Sequence, residues 1–261
     1  MTGKQHVYEE QFDAALDTGG VPARTLIIAS TPRSGSHMLG HSMIETGVMG
    51  RPFEYVAPRN LARWKEMLGT SDVWETLREI MKRRTTPNGV FAIKLHREHV
   101  FPLGGIEKIE AFFPNPVYLR ILRGNLLSQA ISMSAALQDD VWISGMQGNG
   151  KTAIYDRRLI RQTLERLAVD NAVWDKLLAG RPAMTVEYSE VVRDLQGTLR
   201  RISDFTGLPI PPEAMPEQPP TRPQATSRSD EWLERYRREW QPSRRVQLLQ
   251  RALRELRYRL S

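Results

Sequence analysis

The sequence predicts an α/β fold, a P-loop-like parallel sheet flanked by helices on both faces. Three observations carry that reading. Short apolar, β-branched runs alternate with stretches of helical periodicity along the 261 residues. The first run passes through a tight polar loop straight into a helix. Later runs end in basic side chains, at the strand ends where open α/β sheets hold their ligands.

Residues 25–29, TLIIA, read as a strand buried on both faces. Residues 30–36, STPRSGS, are loop chemistry, with Pro32 and Gly35 among them. From His37 the apolar positions Met38, Leu39, Met43 and Ile44 recur at helical spacing and stop near Gly47. Strand, loop and helix in this order aim backbone N–H groups and a helix N-terminus at an anion. Arg33 brings a guanidinium to the mouth, and Ser34 and Ser36 add hydroxyls, so a phosphate-like group belongs here. The chain contains neither Gly-x-x-x-x-Gly-Lys-[Ser/Thr] nor Gly-x-Gly-x-x-Gly, which disfavours an ordinary nucleoside triphosphate or a dinucleotide.

Pro52 and Pro58 make 50–58, GRPFEYVAP, a non-helical segment. Its Glu54 lies between Phe53 and Tyr55, an environment expected to raise its pKa and suit a general base; an exposed turn glutamate is the alternative. Residues 60–84 read as two short amphipathic helices. Residues 91–96, FAIKLH, read as a second central strand, with Lys94 and His96 on one face at its carboxyl end. A third strand, 116–123, ends at Arg123, and the following helix offers Ser128 and, one turn later, Ser132. That makes a second anion-binding corner.

Residues 139–156 carry Gly145, Gly148 and Gly150 and read as a mobile connection or lid. A long helix over 155–178 is expected to bury Leu159, Leu164, Leu167, Val173 and Trp174. A fourth strand, 183–188, precedes a helix over 191–206 that closes at Gly207. Seven prolines in 208–224 exclude regular structure there. Ser229 then caps a helix in SDEWLERYRREW, with acidic residues in its first turn.

Composition narrows the class. A hydrophobic fraction of 40% and a charged fraction of 26% are ordinary for a globular protein. Without cysteine there is no disulfide framework and no thiolate ligand or nucleophile. No apolar segment follows the polar opening and none approaches a membrane span, so a cytoplasmic protein without stable membrane insertion is expected. Most of the net charge of +7 sits in 221–261, which holds 11 Arg and no Lys against 5 acidic residues. Such an arm suits nucleic acid, anionic lipid or an anionic cofactor, or is a solvated helix with snorkelling Arg stems.

The loop PRSGS resembles the 5′-phosphosulfate loop of sulfotransferases, and the whole chain resembles the mycobacterial trehalose 2-sulfotransferase family. Five ordered blocks carry the resemblance: 30–39, 47–55, 86–96, 121–132 and 228–238. It implies a sulfotransferase fold in one domain over 1–261, with a Pro-rich excursion at 208–224 and an Arg-rich helical arm at 225–261. It implies 3′-phosphoadenosine 5′-phosphosulfate (PAPS) as sulfuryl donor, no metal, and a carbohydrate, glycolipid or other small hydroxylated acceptor. Nucleic acid is not an implied partner, and a homodimer is allowed. By position, Arg33, Ser34, Gly35, Ser36 and His37 would hold the 5′-phosphosulfate, and Arg123 with Ser128 or Ser132 the 3′-phosphate. Arg228 would complete the donor pocket, sharing a helix face with Trp232 and Arg235, while Leu233, Tyr236 and Trp240 form a core face. Glu54 matches the family's base and Lys94 its strand lysine, with His96 as the rival base.

Three positions depart from the family pattern. His37 stands where a small hydroxyl residue is usual, Asn125 replaces an aspartate, and His96 replaces a methionine. Cytosolic sulfotransferases carry their base histidine in a similar Lys-x-His. Two other classes compete. A phosphotransferase on a similar sheet needs a Walker lysine and Mg²⁺ ligands, which the sequence does not place; an anionic-polymer binder rests on the charge of the arm alone.

Overall fold

In the computed structural model, which describes residues 9–142, 146–219 and 227–239, four parallel strands form one sheet in the order β2-β1-β3-β4. They are β1 (Arg24–Ser30), β2 (Val90–His96), β3 (Pro116–Leu122) and β4 (Ala183–Glu187). Side chains of β1 alternate between two apolar clusters, which is what burial on both faces requires. Leu26 and Ile28 pack with Met38, Leu39 and Met43 of α1 (Ser36–Glu45) and with Leu199 and Ile202 further along the chain. Ile27 and Ala29 point the other way, to Trp64, Leu77, Ile80 and Trp174. Leu26, Ile27 and Ile28 are fully buried, each contributing about 1.5–3 kcal/mol.

On the face opposite α1 lie α2 (Pro58–Leu68), α3 (Val73–Arg84), the short α4 (Arg97–Val100) and α5 (Ile106–Phe112), and α7 (Arg157–Leu178). The turns α4 and α5, seven residues or fewer, fall below the length at which periodicity is legible. The helix α6 (Leu126–Asp139) packs on α7 through Ala130, Met133 and Leu167. The buried face of α7 differs from the expected one: it is Ile160, Thr163, Leu167, Asp170, Trp174 and Leu178, while Leu159, Leu164 and Val173 are only half-buried. Polar Thr163 and Asp170 belong to it because Thr163 bonds the Ala130 carbonyl and Asp170 pairs with Arg97 and Arg166.

The helix expected over 191–206 is two helices, α8 (Tyr188–Arg193) and α9 (Leu195–Thr206). Asp194 leaves helical geometry between them and caps α9 through the Gly197 N–H. Tyr188, expected as the last strand residue, opens α8. In the Pro-rich stretch Leu208, Ile210 and Met215 pack on the α1 side of the core; 220–224 lie outside the described residues.

The chain divides into two compact units, 1–224 and 225–261. In the second, α10 (Ser227–Glu239) buries Trp232 and Tyr236, one turn apart, and exposes Arg235. Trp232 shares a face with Arg228 as expected, and its i, i+4 spacing to Tyr236 also makes the two aromatics one buried stripe. Trp240 and the rest of the arm lie outside the described residues. Among the described residues no helix is long and apolar enough to cross a membrane.

Candidate active site

The loop between β1 and α1 is held from several sides. Gln129 of α6 donates from Nε2 to the Thr31 hydroxyl at 2.9 Å and to the Pro32 carbonyl at 2.7 Å. Trp174 Nε1 donates to the Ser30 carbonyl at 2.9 Å. Arg33 adopts φ 64°, an uncommon backbone state for a non-glycine residue and one found where surrounding structure over-determines it. Gly35 follows at φ 94° as the N-cap of α1, and a Cβ there would collide with the Tyr188 ring. Only glycine meets both demands.

The two expected anion corners adjoin each other. Arg123 Nη1 donates to the Arg33 carbonyl at 3.2 Å, and the Arg123 guanidinium lies 5.1 Å from the centre of the Tyr188 ring. Arg33 in turn donates from Nε to Ser132 Oγ at 2.9 Å and from Nη1 to the Trp142 carbonyl. Burial, with Arg123 beside it, pulls the Arg33 guanidinium down to about 10, and burial lowers Arg123 too. Both remain cationic at neutral pH, with the Asp139 charge partly offsetting Arg33, so two guanidinium groups share a half-buried corner that suits an anion. Ser34 Oγ is buried and makes no hydrogen bond among the described residues, which leaves it to a ligand oxygen. With the N-terminus of α1 alongside, the residues present fit a phosphosulfate and a second phosphate. Asn125 is the N-cap of α6, its Oδ1 accepting the Ser128 N–H at 3.0 Å. The amide caps the helix without adding negative charge to the corner.

Beside this corner stands a second group. Gly50 brings the chain close over β2, where a Cβ would lie 2.7 Å from Ala92 Cβ. Phe53 then pairs with Ile93 as an isolated bridge, its carbonyl accepting the Lys94 N–H at 2.9 Å. Buried Phe53 and Tyr55 anchor the segment on either side of Glu54. Glu54 Oε1 is 2.7 Å from Lys94 Nζ and 3.2 Å from His96 Nε2. On its other side His96 Nδ1 is 3.0 Å from the hydroxyl of Ser30, the last residue of β1. The expectation of a raised Glu54 pKa is corrected by this geometry. Burial pushes the carboxyl up, but the Lys94 and His96 charges and hydrogen bonds outweigh it and hold it well below the usual carboxylate range. The aromatics either side anchor the backbone, while the carboxylate meets two basic groups.

The Stf0 sulphotransferase family model matches residues 25–239. The chain belongs to this family of sulfotransferases. Trehalose 2-sulfotransferase of Mycobacterium tuberculosis is 25% identical over 83% of this chain and 95% of the relative. That of Mycolicibacterium smegmatis is 28% identical over 84% and 96%. Among solved structures, the sulfotransferase domain from the curacin biosynthetic pathway matches at TM-score 0.47 and 16% identity, covering 82% of each chain. Mouse sulfotransferase SULT7A1 complexed with PAP matches at TM-score 0.45 and 15% identity, covering 79% of this chain and 66% of the other. As a member of a sulfotransferase family the protein is an enzyme of sulfuryl rather than phosphoryl transfer.

In this sulfotransferase the structure brings together Arg33, Ser34, Gly35, Ser36 and Arg123 in one corner, with Glu54, Lys94 and His96 next to it. His37 follows Ser36 on α1, its ring 4.2 Å from that of His41. Ser128 lies at the start of α6 and Ser132 one turn on, engaged with Arg33. Arg228 belongs to the second unit, its guanidinium 5.6 Å from the centre of the Trp232 ring. Sequence reasoning passed over Gln129, Tyr188 and Trp142. Gln129 lies between Ser128 and Ser132 on the same helix, and Tyr188 directly follows a strand end; both positions were signals.

Proposed function

We propose that the enzyme moves the sulfuryl group of PAPS to a hydroxyl of a carbohydrate or related small metabolite, with Glu54 as general base. The observation that carries this reading is Glu54 held between Lys94 and His96 beside the Arg33–Arg123 corner. The names of the two mycobacterial relatives favour a sugar hydroxyl as acceptor.

The chemistry follows from the groups present. Arg33, the loop N–H groups and the Ser34 and Ser36 hydroxyls receive the 5′-phosphosulfate, with His37 next in the chain; Arg123 and Ser128 receive the 3′-phosphate. Ser132 orients Arg33, to which it is already bonded. The acceptor oxygen forms a bond to sulfur as the bond from sulfur to the 5′-phosphate oxygen breaks, and the acceptor's proton passes to Glu54. Charge grows on the departing phosphate, and Lys94 is the movable cation that answers it. When Lys94 turns from Glu54 to that phosphate, the carboxylate loses its strongest counter-charge and becomes a better base. Glu54 is preferred to His96 on access. The glutamate side chain is 20% exposed and that of His96 9%, with both imidazole nitrogens engaged. Mass spectrometry of the protein incubated with PAPS and a panel of sugars, glycolipids and hydroxylated metabolites tests the proposal. A mass gain of one sulfuryl group on a sugar is expected; transfer only to non-sugar hydroxyls, or none, overturns it.

A further inference from the structure

We propose that Arg59, Asp140 and Trp142 form the acceptor-side wall of the site, with the Trp142 indole as a platform for a pyranose ring. The inference rests on the sulfuryl-transfer reading above. A continuous set of bonds runs from the base to the donor loop. The Glu54 carbonyl accepts the Ala57 N–H at 3.1 Å and Asn60 Nδ2 at 2.8 Å, which fastens the first turn of α2 to the base. Arg59 lies in that turn and reaches Asp140 Oδ2 at 3.3 Å. Asp140 Oδ1 accepts the Trp142 indole N–H at 2.7 Å, and the Trp142 carbonyl accepts from Arg33. Transfer requires the acceptor hydroxyl to lie between Glu54 and the sulfur held at Arg33, and this bridge ties together the two elements that flank that space.

The bridge has the means to hold its shape. Asp140 ends α6 in the left-handed conformation, φ 57°, which aspartate tolerates better than most residues. The preceding Asp139 accepts the Val141 N–H at 3.1 Å and the Asn149 N–H at 2.9 Å, and Asn149 Nδ2 donates to the Gln138 carbonyl at 2.9 Å. The Arg59–Asp140 pair is solvent-exposed on the arginine side, so it contributes little to stability and matters for what it positions. The chemistry is that of a polyhydroxylated ring. Trp142 is half-buried with its edge N–H occupied by a carboxylate, so its apolar ring is what it has left to offer. A sugar presents a C–H face that packs on such a ring and hydroxyls that bond carboxylate and guanidinium.

The test uses the full chain with Trp142→Ala, Trp142→Phe and Asp140→Asn. Each is assayed with PAPS against trehalose, maltose, glucose and, as an acceptor without a ring, 1-propanol, and PAP affinity is measured by calorimetry. For the sugar that the wild type sulfates best, KM should rise at least tenfold in Trp142→Ala and less in Trp142→Phe. The kcat should stay within threefold, PAP affinity should be unchanged, and Asp140→Asn should move KM the same way. Should the alanine variant fail to fold, the phenylalanine and asparagine variants carry the comparison. An unchanged KM, an equal loss with 1-propanol, or a wild type that binds PAP and sulfates none of the sugars overturns the platform. A wild type that does not bind PAP overturns the sulfuryl-transfer reading itself, and the platform with it.

Discussion

Replacing Glu54 by glutamine removes one charge and keeps the size of the side chain. Two consequences can be worked from the geometry. On the proposed mechanism the variant loses the proton acceptor, which should lower turnover by about 10²–10⁴-fold. It also strands Lys94, whose side chain is 7% exposed and whose ammonium lies 2.7 Å from the carboxylate. Removing one partner of a buried pair costs about 3–5 kcal/mol, and the partial exposure of Glu54 places this case near the lower end, about 3 kcal/mol. For a chain of this size that is a drop in melting temperature of roughly 6–12 °C. Affinity for PAP should change by no more than about threefold, because the Arg33–Arg123 corner proposed to hold the donor is built without Glu54. Sulfated product counted by mass spectrometry, PAP calorimetry and a thermal melt measure the three quantities separately. Turnover within tenfold of wild type in Glu54→Gln would refute the assignment. Loss of turnover in His96→Asn with both ligands still bound, beside an active Glu54→Gln, would transfer the base to His96.

Two further outcomes are expected. Arg123→Ala should weaken PAP by roughly tenfold to a hundredfold, the cost of losing a charged hydrogen bond, and adenosine 5′-phosphosulfate far less, since that ligand lacks the 3′-phosphate; equal losses in calorimetry would make the corner structural. Stability should also depend on pH below neutrality. Burial lowers His41 and His99 from 6.5 to about 4, and His99 Nδ1 accepts the His96 N–H at 3.0 Å, which needs that nitrogen unprotonated. A depressed pKa means stability complete above 6.5 and lost progressively as pH falls from 6.5 to about 4, where the unfolded chain binds protons that the folded one refuses. Glu54, also depressed, adds its own loss only below its ordinary value of 4.5. The melting temperature should therefore fall between pH 6.5 and 4 and fall less in His41→Asn or His99→Asn; a flat profile would refute the buried neutral histidines.

The sequence by itself determined the elements whose signals are local. The run TLIIA had to be buried on both faces because it has no polar alternation, and it is the centre of the sheet. The positions of Lys94 and His96 on one strand face followed from the two-residue period, and both meet Glu54. Family membership was legible because its motifs lie in short ordered blocks. Tertiary structure decided what depends on residues far apart in the chain. The Arg33 and Arg123 corners came to adjoin each other only when β1 and β3 paired as neighbours. The Glu54 pKa changed direction because its flanking aromatics are sequence neighbours, whereas Lys94 and His96 reach it across the segment's pairing with β2. Periodicity likewise found Leu167 and Trp174 of α7 but not the whole of its buried face, since Thr163 and Asp170 are admitted by partners on other elements. A charge or hydrogen bond acts through space, so its consequences belong to the fold that sets the distance.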